Sequence, residues 1–133
     1  MRLVRIYTGV DGESHFEDLE LRSQTQRSPT GVTAQVSDPL SVASVAFRNV
    51  IAEASDATPH VAPDRLIIVQ LEGTIEVEAS DGEIRRFGPG QPVLVEDTDG
   101  KGHITRNVDG RPRRTLVATL GQGSGSCGKE VKP

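Results

Sequence analysis

The chain predicts an all-β fold, one barrel of short strands, and three observations carry that prediction. Aromatic residues make up 3% of the chain, so its core rests on Val, Ile and Leu, a composition that suits pleated surfaces. Asp-Gly pairs recur at 11–12, 81–82, 99–100 and 109–110, and each can supply the positive backbone angles of a tight turn. Between the turns, apolar and polar residues alternate with a period of two, as they do on a half-buried strand.

Taken in order, "LVRIYT" and the stretch "VRIYTGVDGESHFEDLEL" that contains most of it read as N-terminal strands around the first Asp-Gly turn. Residues 22–40, "RSQTQRSPTGVTAQVSDPL", are polar and interrupted by proline, which fits a long loop or an edge strand over a barrel mouth. In "SVASVAFRNVIAE" the apolar residues fit both periods, and the neighbouring strands favour a strand. "LIIVQL" is a strand apolar on both faces, Leu66 and Ile68 on one, Ile67, Val69 and Leu71 on the other. "TIEVEASDGEIRRF" is a hairpin turning at Asp81-Gly82, "GPGQP" breaks the pattern, and "VLVED", "HITRNV" and "RTLVATL" complete the strands.

A length of 133 residues suits one core. The expected division is a barrel over residues 1–120 and a flexible Gly/Ser-rich tail over 121–133. The single cysteine, Cys127, leaves no intrachain disulfide. A net charge of −4 argues against nucleic acid as a partner. No stretch approaches the roughly 20 apolar residues needed to cross a bilayer, and the N-terminus lacks a leader pattern, so a cytoplasmic protein without a membrane partner is expected. The doubly apolar strand needs cover on its outer face from another sheet of the chain or from a second subunit, and a homodimer is expected.

The chemistry centres on two histidine segments. In the first, His60 is followed by Ala62, Leu66 and a closing Gly73; in the second, Gly100, His103 and Asn107 stand at fixed spacing after "GPGQP". These positions resemble the two motifs of the cupin superfamily over about residues 45–120, and more loosely over the N-terminal strands. The resemblance implies a double-stranded β-helix, a jelly-roll barrel, with His60 and His103 on ligand positions facing one cavity. It places Ala62 where that family has a second histidine, Leu66 where it has a glutamate, Thr98 where it has a proline and Gln91 where an aspartate is common.

Two imidazoles alone bind a divalent ion weakly, because a site needs three or four donors. The implied cofactor state is therefore none, or a weakly held Fe, Zn, Mn or Ni on His60 and His103, with His15, Asp64, Glu96 or Asp97 as possible third ligands. His15, in a polar turn, reads better as a surface residue.

Strand parity places Ala62, Asp64, Leu66, Ile68 and Gln70 on the face of His60, and Thr105 on that of His103. Arg48 adds a cation if its side of "VAFRNV" faces inward; an outward face is the ordinary expectation for arginine. The result is an apolar small-molecule pocket with a few polar points. The favoured function is acid/base chemistry without a metal, by His60 and His103 with Asp64 orienting or sharing the proton, in an isomerase, cyclase or lyase acting on a small organic intermediate. Leu66, Ile68, Gln70, Thr105 and Arg48 would contact the ligand. The alternatives are an Fe(II)-type dioxygenase and a non-catalytic binding or sensor module.

Overall fold

A computed structural model of the chain describes residues 1–51, 58–108, 110–121 and 131–132. Among them there is no helix, and the strands form three sheets. The N-terminal strands are β1 (Arg2–Thr8) and β2 (Ser14–Leu21), and the segment between residues 22 and 40 is a hairpin of β3 (Ser23–Arg27) and β4 (Thr33–Ser37). The ambiguous apolar segment is a strand, β5 (Ser44–Val50), because tertiary pairing with another strand settles what its mixed periodicity leaves open. There follow β6 (Leu66–Glu72), β7 (Ile75–Ala79), β8 (Ile84–Phe87), β9 (Pro92–Glu96), β10 (His103–Asn107), β11 (Arg113–Thr119) and β12 (Val131–Lys132).

Seven strands make the large sheet in the order β12-β2-β1-β9-β6-β11-β5; β10-β7-β8 form the second sheet and β3-β4 a separate ribbon. All pairings are antiparallel except β1 with β9. The hairpin of β7 and β8 registers Ile75 with Phe87 and Glu78 with Ile84 around Asp81-Gly82, where Gly82 takes a positive φ of 98°. Gly12, Gly100 and Gly110 also take positive φ, while Asp109 lies outside the described residues. The Gly/Ser-rich segment lies outside them too over 122–130, Cys127 included, and Val131–Lys132 pairs with β2.

Alternation sorts the apolar side chains into two clusters on opposite faces of the large sheet. Ile6, Val93 and Val95 face the second sheet, where they pack with Ile75, Val77, Phe87 and Phe16; the rings of Phe16 and Phe87 are 6.2 Å apart. Leu3, Leu19 and Leu94 point the other way and pack with Leu120, Leu21, Leu40 and Ile67. Leu94 is fully buried on that outer side, so the chain itself supplies much of the cover that the doubly apolar β6 requires. No helix among the described residues is long and apolar enough to cross a membrane.

Candidate functional site

The two histidines meet through the backbone before they meet through their rings. His60 N–H donates to the His103 carbonyl at 3.0 Å, and His103 N–H donates back to His60 at 2.9 Å, a single antiparallel bridge outside the regular strands. The residue that permits it is Gly102, at φ 73°, where a Cβ would lie 2.2 Å from the His60 carbonyl oxygen. A side chain at position 102 would therefore push the 60s segment away. With glycine there, the imidazole centroids stand 4.8 Å apart at 56°. The same glycine's carbonyl accepts a 2.7 Å hydrogen bond from the buried Ser14 hydroxyl, which anchors the turn to β2.

His103 is buried, and its Nδ1 lies 2.5 Å from Asp97 Oδ2. Asp97 has no solvent exposure, and its backbone carbonyl accepts from Ala62 N–H, so the aspartate is tied to both histidine segments. A carboxylate is an acceptor, which makes Nδ1 the protonated nitrogen of neutral His103 and leaves Nε2 as the basic one. His60 is exposed, and its Nδ1 lies 3.4 Å from the Thr58 carbonyl oxygen.

Both histidines line a cavity of about 620 Å³ between the sheets, a size suited to a small organic molecule. Its apolar wall is Ala62, Leu66 and Ile68 with Ile75, Val77, Val93, Val95 and Val117. Polar groups enter at chosen points: Gln70 and Thr115, which hydrogen-bond each other at 3.1 Å, then Thr105, Thr119, Arg48 and Arg113. Strand register explains the placement, since Arg48, Thr115 and Gln70 are direct neighbours across β5, β11 and β6 and share one face.

Of the residues singled out in the sequence, His60, His103, Leu66, Ile68, Gln70, Thr105 and Arg48 all line this cavity. Arg48 faces it despite the ordinary preference of arginine for an outer face, because β5 is the last strand of the sheet and its guanidinium keeps contact with water. Asp64 does not line it. The chain bends at Pro63 and Asp64, which breaks the strand parity there, and the carboxylate accepts from Arg65 N–H at 2.8 Å. The carboxylate partner of the histidine site is Asp97. Its signal was its place six residues before His103 across a Gly-containing turn, which the alternation pattern alone does not interpret.

The other candidate donors are engaged elsewhere. Glu96 pairs with Arg5 at 2.5 Å and Arg65 at 2.6 Å, and His15 bridges Asp11 and Asp81. Among the described residues no group of three or more His, Cys, Asp or Glu side chains is placed to hold a metal ion. His60 and His103 offer two imidazoles, and Ala62 and Leu66 offer no donor, so this set falls short of what a resident divalent ion requires.

No family model matches the chain, and no curated protein matches it. Among solved structures it is similar to a Salmonella typhimurium LT2 chain assigned to ethanolamine utilization protein Q, at 16% identity and a TM-score of 0.37 over 77% of this chain and 97% of that one.

Proposed function

We propose that the chain is a cupin-type double-stranded β-helix that binds a small organic molecule between its sheets and moves a proton on it without a metal. The observation that carries this reading is His103 in the cavity wall, backed by the buried Asp97 behind its ring and with His60 beside it. Asp97 holds the His103 ring in one tautomer and stabilises the imidazolium formed when Nε2 takes a proton from the ligand. His60, on the exposed side of the pair, is placed to return a proton to a second atom of the same molecule. The apolar wall orients the ligand and keeps water from competing for that proton. Isomerisation needs only this pair of transfers; in an elimination the returned proton goes to the departing group as its bond to carbon breaks, and in a cyclisation the deprotonated atom forms the ring bond while the returned proton quenches the electron pair displaced from the attacked double bond.

The test is hydrogen exchange in D2O, followed by proton NMR, on a panel of 2-oxo acids of increasing length. Wild type is expected to exchange the C3 protons of at least one member faster than a His60→Ala, His103→Asn double variant by 10² or more, on the order of what general acid/base groups contribute. Asparagine keeps an amide donor near the position of Nδ1, so Asp97 retains a partner and the fold is preserved. Exchange at an undiminished rate in that variant overturns the reading.

A further inference from the structure

Four nitrogen side chains that carry or can take up positive charge face the cavity, namely His60, His103, Arg48 and Arg113, and among the described lining residues there is no carboxylate. This is unusual in a chain of net charge −4. Several other strand arginines are neutralised: Arg5 by Glu17 and Glu96, Arg85 by Asp18 and Glu83, Arg106 by Glu76 and Glu78. At Arg48, among the described residues, no hydrogen bond or ion pair engages the guanidinium. Arg113 is buried and engaged within the fold, so the inference rests on Arg48.

The charges are also separated along the cavity. Arg48, Thr115 and Gln70 share one level of the large sheet, while Leu66 is paired with Val95, two residues before Asp97, toward the histidine end. From Gln70 to Leu66 the wall runs about 13 Å at the usual strand rise. Gln70 and Thr115 stand at the arginine level as neutral hydrogen-bonding groups, and the length between the two ends is apolar at Leu66 and Ile68.

We infer that the ligand is an elongated organic carboxylate, its acid group held at the Arg48 end and its apolar body along Leu66 and Ile68. Its reacting part then lies at His103 and His60. A guanidinium meets a carboxylate in a charge-assisted, fork-shaped contact, and because the net charge of the chain repels anions, any preference for one must come from this local arrangement. The inference names the substrate class for the proton-transfer site proposed above and rests on that reading.

The test is titration of wild type with 6-phenylhexanoate and with its neutral isostere 6-phenylhexanamide, by calorimetry and by NMR. The acid is expected to bind roughly tenfold more tightly or better, with the Gln70 and Thr115 amides reporting the acid group and the His103 ring the far end. Arg48→Gln, at an exposed position that packing does not constrain, is expected to bring the two affinities within about threefold, with the larger loss falling on the acid. Equal affinity of acid and amide in wild type overturns the anion inference and leaves the small-molecule pocket standing. An acid preference that survives Arg48→Gln overturns it as well. Binding of neither compound, with no shift at the cavity residues, overturns both the inference and the reading beneath it.

Discussion

Gly102 decides whether there is a site at all, because His60 and His103 touch only as long as the intervening carbonyl can sit against a residue with no Cβ. Two costs fall on Gly102→Ala: a left-handed backbone, worth about 1–2 kcal/mol, and a Cβ that would stand 2.2 Å from the His60 carbonyl oxygen. Gly82 offers the control, since its φ is 98° and nothing lies within 4 Å of a Cβ built there. Gly82→Ala is expected to lose about 1 kcal/mol and Gly102→Ala roughly 2–4 kcal/mol, measured by urea unfolding. The second variant is also expected to lose the ring-to-ring contacts of the two histidines in NMR. Equal losses would show that the close approach at Gly102 relaxes freely.

At the scale of elements, the turns at one end of the molecule are tied to each other by charge. His15 on β2 contacts Asp11 in the β1–β2 turn at 3.0 Å and Asp81 in the β7–β8 turn at 2.9 Å, which links the two sheets. The hydrogen bonds to Asp11 and then Asp81 raise the pKa of His15, and the hydrogen bond from His15 lowers that of Asp11. A raised folded pKa gives stability that is complete below the ordinary histidine value of about 6.5 and is lost as pH rises through the folded value. The Asp11 contribution runs the other way, present above the ordinary carboxylate value and lost as pH falls through the lowered one. Both therefore act together between the carboxylate and imidazole ranges. His15→Asn is expected to lower the urea midpoint relative to wild type near pH 5.5, with the difference shrinking by pH 9. A difference that grows toward pH 9 would contradict the linkage.

For the whole molecule, the outer face of the large sheet falls into two halves. Over Leu94, Leu3, Leu19 and Ile67 it is covered by Leu40 and Leu120 of the same chain. Toward β5, however, Val45 and Phe47 are exposed, Phe47 at 70%, on a strand that has no outer pairing partner among the described residues. Such an edge invites strand pairing or face packing, and a second copy of the chain is the expected occupant. Sedimentation is expected to show a dimer, and Phe47→Asp a monomer with an unchanged fold. A monomeric wild type at high micromolar concentration would sink that expectation.

How much was legible in the sequence follows from the range of the forces involved. The Asp-Gly turns, the alternation of β7 and the doubly apolar face of β6 are written locally, by backbone sterics and a period of two, and they determine an all-β chain with Leu66, Ile68 and Gln70 on one face. The resemblance of the two histidine segments to the cupin motifs, rather than any local pattern, implied that His60 and His103 face one cavity. What the tertiary structure decided was which carboxylate serves them. Asp64 shares the parity of His60 in sequence, but a bend at Pro63 and Asp64 turns it to its own neighbour's N–H, and Asp97 arrives from the end of β9 instead. The strand identity of β5 and the inward turn of Arg48 were settled in the same way, by pairing with β11. Local patterns report what each residue can do alone, whereas a partner drawn from a distant strand depends on register and on the close approach at Gly102, both of which exist only once the sheets have packed.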